Sequence, residues 1–298
     1  MTAHKKMKKR GFTLIEILVA TAIMVVMTGM VIQITSQVLN VWNRSSGRLS
    51  ANAQARIAME LLTNDLETAV LRNNGQQWLR VEGGSDGVAD VVNTAPYKSK
   101  TVALKLFSPA MDRNTELPGD LCGIAYRLEY QGSYDGANAP NVYALYRKRE
   151  DPEATFKALL DTRSAADSEQ DELIGSKGSA MTSDLWVKNE ILDDSNFLAS
   201  NIIDFQVLVY GLNAAGDSVE LLTTEDADGL IETYAFGGSG GSTKVPLYAE
   251  ITLRVISDEA DALLASGQIA QTGLSVEEYV NANSETYTRR VELMTRPF

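Results

Sequence analysis

Glu16 is the single charge in the run Phe12 to Ile34 (FTLIEILVATAIMVVMTGMVIQI). Placed near the centre of a membrane helix, a carboxylate costs roughly 3 kcal/mol, so it counts as functional by default. Most other reactive chemistry is excluded by composition. His4 is the only histidine and Cys122 the only cysteine, so no intrachain disulfide and no thiolate metal cluster can form. His4 sits among the leading lysines, and processing near residue 11 leaves a chain without histidine. Ser-His-Asp and Cys-His catalysis, histidine-bound zinc and facial-triad iron then lack their key side chain.

Weaker candidates each have a plain structural reading. Gly237-Gly238-Ser239-Gly240-Gly241 fits G-x-S-x-G in form, but a nucleophile elbow needs a strand-to-helix turn and a histidine base. A flexible glycine-serine loop over Gly237 to Ser242 is expected instead. Asp226 and Asp228, after Glu225, and the pair Asp193-Asp194 carry oxygen ligands of the kind calcium prefers. No EF-hand spacing accompanies them, and solvated turns are the stronger reading, so the expectation is no cofactor, with calcium at Asp226 and Asp228 the alternative. Tyr126, Tyr130, Tyr143 and Tyr146 alternate in phase with a hairpin; a core or sheet face is favoured over a sugar platform. Cys122 reads as a small buried apolar residue.

The elements that position these residues follow from periodicity. Phe12 to Ile34 makes about 34 Å of helix, enough to cross a bilayer. Basic residues before it (Lys5, Lys6, Lys8, Lys9, Arg10) and an acidic body after it set the N-terminus in the cytoplasm. No strong breaker appears before Asn73 except Gly29 and Gly47, so one helix of about 60 residues is expected. From about Arg44 it turns amphipathic, with Ala51, Ala55, Ala58, Leu62, Leu66 and Ala69 on one face and Arg56, Glu60, Asp65, Glu67 and Arg72 mostly elsewhere. Strands are expected at Thr101 to Phe107, Cys122 to Tyr130, Val142 to Lys148, Ile202 to Tyr210, Ile231 to Phe236, Leu247 to Ile256 and Thr286 to Met294. The second and third form a hairpin around Gln131 to Asn141. Asp151 to Ser183 and Asp258 to Asn283 interrupt the strands with helical patterns, the latter including a helix start at Ser275. The fold class is therefore α+β: a long N-terminal apolar helix packed on a mainly antiparallel β-sheet head.

The net charge is −12; without the first ten residues 22 positive side chains face 39 negative ones, a balance of −17. Such a body repels a phosphate backbone, so nucleic acid is not an expected partner. The apolar segment admits three readings. A secretory signal would be cut at Ala20-Thr21-Ala22, but Glu16 interrupts the apolar run, which continues well past that site. A plain single-pass anchor, holding a periplasmic binding protein or enzyme with its leader uncut, fits the length and leaves Glu16 unexplained.

The third reading is a resemblance. Lys8-Lys9-Arg10-Gly11-Phe12-Thr13-Leu14-Ile15-Glu16 resembles the class III signal of type IV prepilins and pseudopilins: a basic leader, a glycine, a phenylalanine and a glutamate four residues later. The resemblance implies cleavage after Gly11 by a prepilin peptidase and methylation of the new amine on Phe12. That amine would lie about one helical turn from Glu16 and could reach the Glu16 of a staggered neighbour, so that Glu16 sets the assembly register. It divides the chain into a cleaved leader (1–11), a transmembrane or filament-core helix (12–34), the amphipathic second half of the stalk (35–73) and a β-rich periplasmic head (74–298). The order of the head loosely resembles J-type minor pseudopilins of type II secretion, with 151–183 and the segment after Ile256 as additions. The implied partners are prepilin peptidase, other major and minor pseudopilins or pilins, and an inner-membrane assembly platform; no catalysis is implied. A minor pilin of a type IV pilus or DNA-uptake machine is the alternative in the same class.

Overall fold

The structure is a computed structural model that describes residues 13–72, 76–83, 95–109, 120–132, 141–155, 188–213, 216, 218–225, 230–238 and 241–294. The chain divides into two compact units, Met1–Ser46 and Gly47–Phe298. Helix α1, Leu14–Glu67, contributes to both. In the first unit its side chains are exposed from Leu14 onward. It continues through Gly29 without a break, and a Cβ there would meet open space.

In the second unit α1 becomes a core element. Ala51, Ala55, Ala58, Leu62, Leu66 and, just beyond the helix, Ala69 are all buried, as the periodicity predicts. Small alanines let the helix approach a sheet closely, and each buried leucine contributes roughly 2 kcal/mol. Asp65 departs from expectation: it lies on the buried face, 3% exposed, because it stands three residues after Leu62 and so shares its side of the helix. The helix also ends six residues before the expected Asn73. Val70 N–H donates to the Phe107 carbonyl at 2.8 Å, and Thr68 Oγ1 donates to the Asn64 carbonyl at 2.8 Å. A tertiary partner for the backbone replaces the next intrahelical bond.

Among the described residues ten strands form two antiparallel sheets. They are β1 (Gln77–Glu82), β2 (Ala103–Pro109), β3 (Leu121–Gly132), β4 (Asn141–Arg149), β5 (Phe197–Ser200), β6 (Ile202–Leu212), β7 (Val219–Leu221), β8 (Tyr234–Gly237), β9 (Pro246–Ile256) and β10 (Ser284–Glu292). The first sheet has the order β5-β4-β3-β2-β1-β8 and the second β10-β9-β6-β7. Val102 N–H donates to Phe205 O at 3.0 Å and Phe205 N–H to Lys100 O at 3.2 Å, joining the two. The core between them and α1 holds Leu79, Leu104, Leu106, Tyr126 and Leu145 from the first sheet and Phe205, Val207, Ile251 and Leu253 from the second.

The α+β class and the β3–β4 hairpin stand as expected, the hairpin running from Ile124↔Arg149 to Gly132↔Asn141. Three strands were not anticipated. β1 is buried on both faces, and its polar residues are carried by ion pairs, Arg80 Nε to Glu82 at 2.7 Å and Lys105 Nζ to Glu82 at 2.8 Å. β5 is cut from β6 by Asn201 at φ 62°, a left-handed conformation that asparagine tolerates better than most residues. Asn201 N–H donates to Tyr143 O at 2.7 Å and its carbonyl accepts from Ile256 N–H at 2.9 Å, so this residue passes the chain between sheets. β7 has only three residues. The expected Ile231 to Phe236 strand narrows to β8, with Ile231 left in a lone bridge to Glu225.

Gly237 and Gly238 act as a clamp where a slack loop was expected over Gly237 to Ser242, of which residues 239 and 240 lie outside the described residues. Gly237 and Gly238 have φ of 81° and 74°, and a Cβ on Gly237 would sit 2.4 Å from Gln76 O. Ser242 N–H donates to Ala235 O at 2.7 Å. Between β9 and β10 lie α2 (Asp258–Ala265), a 3-10 turn (Gln268–Thr272) and α3 (Val276–Asn283). Ser275 caps α3 in a reciprocal box with Glu278, at the expected helix start. Of the segment 151–183, Asp151 to Thr155 are described: Asp151 caps the helical turn Pro152–Ala154.

Candidate functional site

The first turn of α1 is built from four residues, Thr13 to Glu16. Thr13 precedes the helix, and its backbone N–H and hydroxyl both donate to Glu16 Oε2, at 2.9 and 3.0 Å. Glu16 N–H in turn reaches Thr13 O at 3.1 Å and Thr13 Oγ1 at 3.4 Å. This is a capping box, Thr-x-x-Glu, which holds the carboxylate back over the helix start. Negative charge there also suits the positive end of the helix dipole. Sequence reasoning singled out Glu16 and missed Thr13; the spacing of the two was the available signal.

Farther along the apolar segment the hydroxyls turn inward. Thr21 Oγ1 donates to Leu18 O (2.9 Å), Thr28 Oγ1 to Met24 O (2.8 Å), Thr35 Oγ1 to Val31 O (2.8 Å) and Ser36 Oγ to Ile32 O (2.9 Å). Each of these hydroxyls is satisfied within its own helix, as an apolar surrounding requires. Glu16 differs: both bonds from Thr13 fall on Oε2, and a carboxylate has about four acceptor positions over its two oxygens. The site can therefore accept a cationic donor without giving up its cap. Gly11 and Phe12, the expected cleavage and methylation positions, lie outside the described residues, as do the calcium candidates Asp226 and Asp228.

The remaining sequence candidates resolve into structure. Asp193 caps a short turn, accepting from Ser195 N–H at 2.9 Å, and the two Ser195 donors hold its carboxyl below the usual carboxylate range. Among the described residues no three histidine, cysteine or acidic side chains gather as a metal site. Cys122 is buried in β3. Tyr126, Tyr143 and Tyr146 are buried, while Tyr130 is partly so and packs on Tyr143 with ring centroids 4.7 Å apart. Tyr126 belongs to a polar cluster that the sequence did not announce. Arg147 of β4 grips Asp65 of α1 by two bonds, Nε to Oδ2 at 2.8 Å and Nη2 to Oδ1 at 3.0 Å. The Tyr126 hydroxyl donates to the same Oδ2. This bidentate pair fixes how far α1 slides along the hairpin.

Residues 6–32 match the family described as the prokaryotic N-terminal methylation motif. No curated protein matches the chain. Among solved structures it is similar to the type IV-like pilin TTHA1219 from Thermus thermophilus, at 9% identity over 81% of this chain and 95% of that one. The TM-score is 0.33, at which likeness of fold carries no weight. Helix α1, which begins within the matched segment, is long and apolar enough to cross a membrane. Residues 6–32 thus carry a prokaryotic N-terminal methylation motif, and the long apolar helix α1 begins inside it.

Proposed function

We propose that this protein is a minor pseudopilin of a type II secretion system, of the J-like kind. It is inserted in the inner membrane with its β-rich unit in the periplasm, cut after Gly11 by prepilin peptidase and methylated on the amine of Phe12. It then joins other pseudopilins through α1, delivered by the assembly platform. The observation that carries this reading is the N-terminal motif over residues 6–32, with Glu16 fixed by Thr13 at the start of the helix.

The chemistry is assembly rather than catalysis. An incoming helix is stabilised where the Phe12 ammonium meets a carboxylate, and a one-turn error leaves both charges unpaired in an apolar surrounding. Thr13 keeps the Glu16 carboxylate at the rim of the helix. The acidic balance of the processed chain, −17, supports a protein-secretion role over uptake of a polyanion.

The test is deletion of the gene in its own host. Secreted enzymes should accumulate in the periplasm, with twitching and DNA uptake intact. Normal secretion together with lost twitching or transformation would contradict the pseudopilin reading.

A further inference from the structure

Asp261 is a carboxylate the assembly account does not use. It lies in α2 and is 3% exposed, and its Oδ1 is buried with no hydrogen-bond partner among the described residues. A buried carboxyl oxygen without a donor is unfavourable when ionised and tolerable when the carboxyl holds a proton. Around it α2 docks through Ala260 and Leu264 into a cluster with Tyr97, Tyr143, Ile203, Ile256, Tyr279 and Val280.

We propose that α2 is a proton-dependent latch: it lies closed on the sheets while Asp261 carries its proton, and it loosens when that proton leaves. The surroundings favour the neutral form. On its own helix the charged neighbour is another carboxylate, Asp258, whose Oδ1 accepts from the Asn201 side chain. Tyr130 of β3 and Tyr143 of β4 feel Asp261 and are themselves raised by burial. Tyr279 faces the cluster from α3, and Tyr97 from the segment before β2. Asp204 of β6 bears on Tyr143. Arg254 of β9 is engaged by Asp204 at 3.5 Å and by the Tyr97 hydroxyl at 3.4 Å.

Burial, then the Asp258 charge, raises the Asp261 carboxyl from 3.8 to about 7. With α2 undocked the carboxyl titrates near its ordinary value. Docking is therefore strongest below pH 4, weakens steadily as pH rises towards 7, and changes little above that.

The test is hydrogen–deuterium exchange of the full chain in detergent at pH 5 and pH 8, with rates corrected for intrinsic exchange. Protection of the α2 amides should fall roughly a hundredfold between the two in the wild type, and stay within about threefold in Asp261→Asn. If Asp261→Asn does not fold, Asp258→Asn serves instead: removing that charge lets Asp261 ionise more readily when docked, so the loss of protection should be complete at lower pH and be smaller overall than in the wild type. Equal wild-type protection at both pH values would overturn the latch. So would a pH-dependent loss in Asp261→Asn as large as in the wild type, or restoration of wild-type protection at pH 8 by calcium, which would make the two carboxylates a cation site.

Discussion

Single side chains decide two separate matters in this protein. At the start of α1, Glu16 carries an intrachain role and a proposed intermolecular one. Glu16→Ala should leave cleavage after Gly11 intact while lowering recovery of the chain with its partner subunits by about tenfold, the loss of one charge-assisted bond. Affinity pull-down from solubilised membranes measures this, and unchanged recovery would count against the register role. At Asp65 the issue is burial. Arg147→Met leaves the Asp65 carboxylate, 5% exposed at its side chain, without its cation and should cost about 3 kcal/mol in urea unfolding. Adding Asp65→Leu should restore much of the loss, since a hydrophobic pair avoids the desolvation penalty altogether.

At the scale of elements, the Gly237 clamp joins β8 to the entry of β1. Gly237→Ala places a Cβ 2.4 Å from Gln76 O at a φ of 81°, so a loss of about 1–3 kcal/mol is expected by thermal unfolding. A neutral outcome would mean that the segment shifts freely. The sequence made this clamp look like slack, because glycine and serine signal permission and not the contact that requires it. The same limit explains the other departures. α1, the β3–β4 hairpin, β9 and the Ser275 cap are written in local periodicity and capping residues, and these were legible. The end of α1 depends on Val70 finding Phe107, and the break between β5 and β6 on Asn201 bridging Tyr143 and Ile256; both are set by partners distant in sequence. β1 was missed although Leu79-Arg80-Val81-Glu82 alternates apolar and polar: the alternation spans four residues, and what holds it as a strand is pairing with β2 and β8 and the Glu82–Lys105 ion pair, all distant in sequence. At the site, Glu16 was legible from type and position, and Thr13 from a spacing recognised only at α3.

For the whole molecule, charge and pH are the readable properties. The chain without its basic first ten residues, at −17, should give no shift of duplex DNA in a gel at about 0.15 M salt, where electrostatic binding needs clustered cations. A clear shift would reopen the DNA-uptake alternative. Because Asp261 is raised to about 7 while its ordinary value is 3.8, the folded protein holds a proton that the unfolded chain releases between those values. Its contribution to stability is fully present below pH 4 and is lost as pH rises to 7, by about 4 kcal/mol at most. Urea unfolding from pH 4 to pH 8 should show this slope in the wild type, reduced in Asp261→Asn.

Where the mature chain begins is read by intact-mass spectrometry with N-terminal sequencing. The chain should be purified from membranes of a cell with its own prepilin peptidase. A start at Phe12 bearing one methyl group on its amine is expected. A start at Met1, or at Ile23 after Ala20-Thr21-Ala22, would contradict it and leave an anchored or secreted β-rich protein with another purpose.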